Sequence, residues 1–456
     1  MPSVGNLMEI ARRALSSQQI ALTTTGHNIA NANTENYSRQ RVVMQPTNPS
    51  PRYEFLVGTG IDVNAIKRVS DQFINAQLNQ QQQSLGWFET MESKYSQLEE
   101  AYGEPSEMGL SNAINMLFDS WNNLANNPDD LNARDIVLQR AQNLAQRFNS
   151  TSERLTNIQT SVKKEFSNSV DEFNSLSKRI ADINSQIVSR SGGSNSGDLL
   201  DQRDALLRRM SELANVKISE SDNGQVMLSL NGKVFLQRNN YIEIEMPKES
   251  SNLSDLKWSD SNKTVNLQNG IMAALAKFHD EIIPESIKEL DSLAVSIAEN
   301  INSIHETGYG LDGSTSNRFF DSATTNAANI KVDQNIVADV NKIAASSDLH
   351  TGNGDLALQI SRIQDKTFSI KNKTATFSDY FGDMIASLGN AKQEATASKQ
   401  GQQLFVGQLE QDRQAVSGVS LDEEMTNLVK YQKAYQAAAR LVTMADDMAD
   451  TVLNMV

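Results

Sequence analysis

A chain of 456 residues is long enough for about three domains. Its 56 acidic and 41 basic side chains give a formal net charge of -15, which argues against nucleic acid or an anionic membrane as a partner. It has no cysteine and no apolar run of the length of a membrane span or a secretory signal, so we expect no disulfide, no thiolate chemistry, no membrane insertion and no cleaved signal peptide.

The first predicted element is an amphipathic helix with a narrow apolar face. The residues predicted to form this face are Leu7, Ile10, Ala14, Ala21, Leu22 and Ile29. Because a single exposed helix of this kind is not stable, the pattern predicts a helical partner. Residues 31–51 contain three prolines and are predicted to be extended, and the alternation over 57–69 predicts a short strand or turn.

Helical periodicity resumes near residue 70 and dominates the chain as far as residue 214. Asn127 followed by Pro128 predicts a helix start, and one apolar stripe then continues to residue 190. A helix of about sixty residues would be roughly 90 Å long, which is typical of a rod rather than of a compact enzyme. A second, shorter helix is predicted over 198–214.

From residue 216 onward, apolar residues recur at every second position, which is the pattern of β-strands. Asn223-Gly224 and Asn231-Gly232 predict hairpin turns, so residues 216–269 are predicted to form a small β domain. Helical periodicity returns at 271, with an interruption predicted at Pro284 and further helices over 355–369 and 376–415.

The last predicted element is an amphipathic helix with a roughly seven-residue apolar rhythm. Its predicted seam residues are Leu421, Met425, Leu428, Tyr435, Val442 and Leu453. The first 41 residues are net positive and the last 41 are net negative, which favours pairing of the two ends. Exposed ion pairs contribute only about 0–1 kcal/mol each, so the apolar seam would carry most of the pairing energy. Two unrelated solvated helices remain the alternative.

The sequence therefore predicts a mainly α fold, with long terminal coiled-coil-like helices and a helical rod domain that carries a small inserted β domain. Residues 1–69 and 416–456 are predicted to form a terminal helical core domain with its extended segment. Residues 70–215 and 270–415 are predicted to form the rod domain, and 216–269 the outer β domain.

No catalytic, cofactor or metal site is predicted. The four histidines have no metal-ligand spacing, and the sequence lacks dinucleotide, Walker and nucleophile-elbow patterns. Asp198, Asp201 and Asp204 lie three residues apart near a predicted helix start, where the helix dipole and arginine pairing explain them without catalysis. We therefore expect a protein that is not an enzyme.

Three stretches resemble a known superfamily. Residues 22–41 (LTTTGHNIANANTENYSRQR), 58–73 (GTGIDVNAIKRVSDQF) and 418–456 resemble the terminal signatures of bacterial flagellar rod, hook and hook-associated proteins. The signature residues are Asn28, Ala30, Asn31, Asn33, Thr34, Tyr37, Ser38 and Arg39. The block that begins DLLDQRDALLRRMSEL at residue 198 is similar to the hook-associated members that form the hook–filament junction.

The resemblance implies a structural subunit that is exported unfolded by the flagellar type III apparatus and lies outside the cell. It also implies a helical homo-oligomer assembled through the terminal helices. The implied partners are the hook protein, hook-associated protein 3 and a cytoplasmic export chaperone that binds the C-terminal helix. The alternatives are a hook or distal rod protein, which the long helix disfavours, and a secreted helical effector or enzyme.

Overall fold

The computed structural model describes residues 4–48, 50–52, 55–104, 109–190, 196–221, 224–247, 252–371 and 373–454. Most of these residues are helical, which confirms the predicted mainly α fold. The α-helices are α1 (Val4–Ala30), α2 (Gln72–Tyr102), α3 (Leu110–Asn126), α4 (Leu131–Arg190), α5 (Gly197–Leu213), α6 (Ile271–Lys277), α7 (Ile283–His305), α8 (Gln334–Ala338), α9 (Asp355–Ser361), α10 (Phe377–Ser417) and α11 (Leu421–Asn454).

The strands form small antiparallel sheets. They are β1 (Gln40–Pro46), β2 (Ser50–Arg52), β3 (Phe55–Val57), β4 (Ile61–Arg68), β5 (Val216–Glu220), β6 (Val226–Leu230), β7 (Lys233–Gln237), β8 (Asn240–Tyr241), β9 (Ile244–Glu245), β10 (Lys257–Trp258), β11 (Phe368–Ile370) and β12 (Lys373–Ala375). The largest sheet has the order β5-β6-β7-β8, and the other strands pair as β1–β4, β2–β3, β9–β10 and β11–β12. The turn at Asn231-Gly232 has φ values of 47° and 83°, which is the left-handed geometry that this dipeptide favours.

The two chain ends pack together. α1 lies along α11, and the end of α1 meets the start of α11 where the side chain of Asn28 contacts Glu424, so the helices run antiparallel. The β1–β4 ladder extends from Gln40 opposite Arg68 to Pro46 opposite Ile61 and lies beside α1. We call α1 and α11 the terminal pair.

The described part of the chain from α2 to α10 forms the body. α4 has 60 residues and is about 90 Å long, as its uninterrupted apolar stripe predicts. α2 and α10 pack along each other in antiparallel fashion, because Lys392 pairs with Glu99 and Lys399 pairs with Glu92. The body is therefore built along one long helix, as the sequence predicts.

The four-stranded sheet packs on α4. The side-chain amide of Asn184 donates to the Val226 carbonyl at 2.9 Å and accepts from the Val226 N–H at 3.1 Å. A side chain of α4 therefore satisfies the backbone polar groups of the first residue of β6. The rings of Phe173 and Phe235 lie 5.2 Å apart between helix and sheet. Buried residues of the sheet and of the helices form one continuous apolar cluster. The division at 216–269 stays a prediction, and this shared core does not favour it.

Three local predictions were wrong. The helix predicted to begin after Asn127 begins at Leu131, and the Asp130 carboxylate accepts from the Asn132 N–H at 2.8 Å. Asn127 instead closes α3, because its backbone N–H bonds to the last turn of that helix. Pro284 does not interrupt the helix, since a π-helical turn at Phe278–Ile282 leads directly into α7. The α-helix predicted over 355–369 ends at Ser361, and a 3-10 turn at Arg362–Asp365 and the short strand β11 follow.

Candidate functional site: the junction of the two chain ends

Small side chains line the contact inside the terminal pair. In α1 the buried residues are Ala11, Ser17, Ala21, Thr24, Thr25 and Asn28. In α11, Glu424, Ala438 and Ala445 are buried at intervals of whole heptads. Small residues let two helix backbones approach closely, so the contact is narrow and includes little aliphatic surface.

The structure divides the predicted interface residues into two groups. The buried or half-buried residues are Leu7, Ile10, Ala14, Ala21, Leu22, Ile29, Leu428 and Val442. Four predicted seam residues are exposed instead, namely Leu421 (50%), Met425 (52%), Tyr435 (37%) and Leu453 (73%). α1 leaves these four side chains exposed, and their place in the assembly interface stays a prediction. The true contact face is rotated around α11 to Glu424, Ala438 and Ala445, where smaller side chains allow closer packing.

The exposed apolar residues of α11 include two groups at four-residue spacing. Leu421, Met425 and Val429 form the first group, and Met444 and Met448 form the second. We call these five residues the outer row. Residues four apart form a ridge on a helix surface, and such ridges pack into the grooves of other helices. The outer row therefore consists of two separate apolar ridges on α11 that this chain leaves uncovered.

Asn28 is the centre of a buried polar junction between the two ends. Its side-chain amide donates to the Gln40 carbonyl and to Glu424 Oε2, both at 2.9 Å. Its Oδ1 accepts from the Gln40 N–H at 3.0 Å and from the Tyr37 hydroxyl at 2.8 Å. These four bonds use both donors and both lone pairs of the amide, which explains why an Asn stands at a position that is 1% exposed.

Arg39 connects the same junction to the start of α11. Its guanidinium contacts Glu423 Oε2 at 2.7 Å and Glu424 Oε1 at 2.8 Å, and its backbone N–H donates to the Ser417 carbonyl at 2.8 Å. The Glu424 side chain is 2% exposed and that of Glu423 is 62% exposed. The buried carboxylate depends on Arg39 and Asn28 for its partners, whereas the exposed one is solvated.

α5 supplies a second set of carboxylates to the junction. Asp201 accepts from the Ser38 N–H at 3.0 Å and pairs with Arg68 at 3.0 Å, and Asp204 pairs with the same guanidinium at 2.7 Å. Burial raises the pKa of Asp201, while the Ser38 amide and Arg68 oppose that rise. The sequence predicted that an arginine pairs with these acids without naming it, and the structure shows that Asp201 and Asp204 pair with Arg68.

Asp198 extends this contact to the end of α1. Its Oδ1 accepts from the Gln40 amide at 2.7 Å and lies 3.2 Å from His27 Nε2. Burial raises the pKa of Tyr37, and the negative charge of Asp198 acts in the same direction. Tyr37 therefore remains protonated and can donate to the central asparagine.

The remaining signature residues finish α1 or lie at the surface. Asn31 donates to the His27 carbonyl at 3.0 Å, and Thr34 donates to Asn31 Oδ1 at 3.1 Å, so these two side chains close the last turn of the helix. Ala30 and Asn33 are exposed. The signature residues thus included Asn28, Tyr37, Ser38 and Arg39 of the junction. Gln40 lay in the stretch that carries the resemblance but was not among them, and Glu424 was not predicted to lie at the junction.

Within the described ranges, no three His, Asp or Glu side chains come together as a metal site, and no helix is long and apolar enough to cross a membrane. The junction joins chain segments through hydrogen bonds and ion pairs. Its geometry is that of a structural connection.

Comparison with known proteins gives the family. Residues 8–37 match the flagella basal body rod protein family, and residues 410–455 match the flagellar basal body rod FlgEFG protein C-terminal family. Residues 95–320 match the flagellar hook-associated protein FlgK helical domain. Flagellar hook-associated protein 1 of Bacillus subtilis is 31% identical, over 98% of this chain and 97% of that protein. The chain belongs to the flagellar hook-associated protein 1 family.

Other members of the hook-associated protein 1 family match over the same extent. The Salmonella typhimurium protein is 24% identical over 99% of this chain and 100% of its own length. A solved structure, that of the flagellar hook junction protein FlgK from Burkholderia pseudomallei, superimposes with a TM-score of 0.64 at 17% identity. It covers 75% of this chain and 100% of its own, and it supports the fold. Asn28 and Tyr37 lie in the segment that matches the first rod-protein family, and Glu423 and Glu424 lie in the segment that matches the second, whereas Ser38 and Arg39 lie just beyond the first match.

Proposed function

We propose that this protein is the structural subunit that joins the hook to the filament of a bacterial flagellum. The observation that carries the proposal is the outer row, because its two apolar ridges lie uncovered on a terminal helix of a flagellar axial protein. Full-length similarity to proteins named flagellar hook-associated protein 1 favours this role over that of a hook or distal rod protein.

In this proposal, the terminal pairs of neighbouring copies pack side by side and form a helical homo-oligomer. Contacts between copies would use the exposed residues Leu421, Met425, Tyr435 and Leu453, while α1 covers the face of α11 that carries Ala438 and Ala445. The hook protein and hook-associated protein 3 would be the axial neighbours. Exposed apolar groups of this kind need cover before assembly, so an export chaperone would bind α11 in the cytoplasm.

The proposed location is extracellular, at the hook–filament junction, after export in an unfolded state by the flagellar type III apparatus. A chain without cysteine cannot form disulfides that would block unfolding. The hydrogen bonds of the polar junction connect segments far apart in sequence, so they would be absent from the unfolded chain during export. They would form again when the chain refolds outside the cell.

The test is a charge in the outer row. Met425 is 52% exposed, so Met425→Asp should leave the isolated protein folded. Assembly would desolvate the new carboxylate at every copy, and a buried unpaired charge costs several kcal/mol. In a deletion strain carrying this variant, we expect finished hooks, normal secretion of the variant and filament subunits released into the medium.

The matched control is Thr426→Asp, which places the same charge one residue along the helix at an exposed polar position. Filaments should be retained with this control. Stable filaments with Met425→Asp would contradict the proposed contact. Equal loss with both variants would show that added charge, rather than the outer row, is responsible.

A further inference from the structure

α5 lies between the body and the segments that lead into the terminal pair. Its apolar face is buried in the body through Leu199, Leu206, Leu207, Met210 and Leu213. Its polar face carries the three aspartates of the junction and Arg208. One short helix thus belongs to the body by packing and to the chain ends by polar contacts.

Only two short connections join the terminal segments to the body along the chain. Arg68 at the end of β4 is followed by α2 at Gln72, and Ser417 at the end of α10 is followed by α11 at Leu421. Two short connections define an axis, and the parts on either side can rotate about it unless other contacts prevent this. The orientation of the terminal pair therefore requires a further contact.

We propose that α5 is a latch that fixes the direction in which the terminal pair leaves the body. Its carboxylates hold the base of the β1–β4 ladder on both strands, through the Ser38 N–H before β1 and Arg68 at the end of β4. The two strands are tied to each other at this level, because the Val69 N–H donates to the Arg39 carbonyl at 2.8 Å.

The contacts of the latch are spread over several turns of α5. Asp198 contacts His27 and Gln40 near the start of the helix. Three turns later, the Arg208 guanidinium bonds to the side chain of Asn36, which has a left-handed φ of 64°. Two contacts that are well separated along a rigid helix resist rotation better than a single contact would, because the distance between them increases the torque needed to break them.

The ion pair between Arg68 and Asp201, at the centre of the latch, is buried enough to hold the two parts together. The side chains of Arg68 and Asp201 are 10% and 9% exposed, so water does not easily replace either partner. Removal of Arg68 leaves Asp201 buried without its cationic partner, and removal of Asp201 leaves the buried Arg68 with Asp204 as its remaining partner. Either change therefore destabilises the closed arrangement. The latch should therefore open when either residue is neutralised.

The purified full chain allows a direct test that does not depend on the proposed role in the flagellum. Because the sequence has no cysteine, Asn64→Cys on β4 and Glu153→Cys on α4 give two spin-labelling sites without background. Both side chains are exposed. Double electron–electron resonance then measures the distance distribution between the terminal segments and the body.

We expect a narrow distribution in the labelled parent and a broad one in Arg68→Gln and in Asp201→Asn. Arg68→Lys keeps the charge and should broaden the distribution less than Arg68→Gln. The matched control is Arg209→Gln on the same helix, because Arg209 pairs with Glu172 and Glu212 and not with the terminal segments. This control should remain as narrow as the parent.

A distribution that is broad in the parent, or equally narrow in Arg68→Gln and Asp201→Asn, would overturn the proposal. Circular dichroism and thermal unfolding of each variant separate opening of the latch from loss of the fold. If Asp201→Asn does not fold, Asp204→Asn replaces it, because Asp204 is 24% exposed and pairs with the same arginine. Distance distributions that stay narrow in both single variants, Asp204→Asn and Arg68→Gln, would again overturn the proposal.

Discussion

The body and the terminal pair are both helical, but side chains of different size hold them together. Trp121, Phe148 and Phe166 are fully buried in the body, whereas Ala11, Ala21, Ala438 and Ala445 are buried in the terminal pair. Burying a large apolar side chain stabilises a fold by about 1.5–3 kcal/mol, and an alanine contributes much less. The body thus buries many large apolar residues, whereas Met425, Met444 and Met448 of the terminal pair are exposed.

The largest expected effect is in the body. Trp121 is 0% exposed, and its ring lies 5.1 Å from that of Phe319. Trp121→Ala should lower the free energy of unfolding by about 3–5 kcal/mol in urea denaturation, because it removes a buried aromatic and leaves a cavity. The control Phe73→Ala removes a ring that is 69% exposed and should change stability by less than about 0.5 kcal/mol. Similar losses in both would mean that burial does not govern stability here.

An added side chain in the narrow contact should disturb the terminal pair and spare the body. Ala438 is 4% exposed, so Ala438→Leu overpacks the contact with α1 at a cost of about 1–3 kcal/mol. Hydrogen exchange should show lost protection in α1 and unchanged protection in α4. Ala437→Leu makes the same change at the exposed neighbouring position and should leave both helices protected. Unchanged exchange in Ala438→Leu would show that the contact has room for a larger residue.

The body should also lose stability at acid pH through His305. Burial lowers the pKa of His305 to about 4, and the neutral ring accepts from the Ala344 N–H at 2.8 Å and bonds to the Asn317 carbonyl at 2.8 Å. The unfolded chain binds a proton near pH 6.5 and the folded chain only near pH 4, so stability falls as the pH drops through this window.

Between pH 7 and pH 5, this difference amounts to about 2 kcal/mol of unfolding free energy. Urea midpoints at the two pH values should converge in His305→Gln, which cannot titrate, after correction for its lower stability. His350→Gln, at a side chain that is 86% exposed, should keep the pH dependence of the parent. An unaltered pH dependence in His305→Gln would assign the acid sensitivity to other groups.

The smallest effect is expected where the terminal pair meets water. Glu423→Gln removes one exposed partner of Arg39 and should cost less than about 1 kcal/mol. Glu424→Gln changes the buried partner of the same guanidinium. It should lower the free energy of unfolding by more, because Arg39 then loses the negative charge of a carboxylate that is shielded from water. Hydrogen exchange at the start of α11 distinguishes the two variants. Equal effects would show that burial at this junction has no energetic consequence.

Several features could be predicted because they depend on neighbours in sequence. The sustained stripe predicted the 60-residue α4, and Asn231-Gly232 predicted its hairpin turn. The resemblance to flagellar axial proteins identified Asn28 and Arg39 without showing what they contact. The N-cap at Asn127 was misassigned, since Asp130 was an equally suitable cap three residues later.

By itself, the sequence determined the helical content, the long rod helix and the amphipathic character of both ends, because hydrophobic periodicity acts within each element. Only the tertiary structure decided which face of α11 meets α1, since apolar residues surround much of that helix and the choice depends on the shape of the partner. It also decided that Glu424 is buried and that Arg68 pairs with Asp201 and Asp204. Those contacts join residues more than a hundred positions apart, and their energy depends on burial that no local pattern encodes.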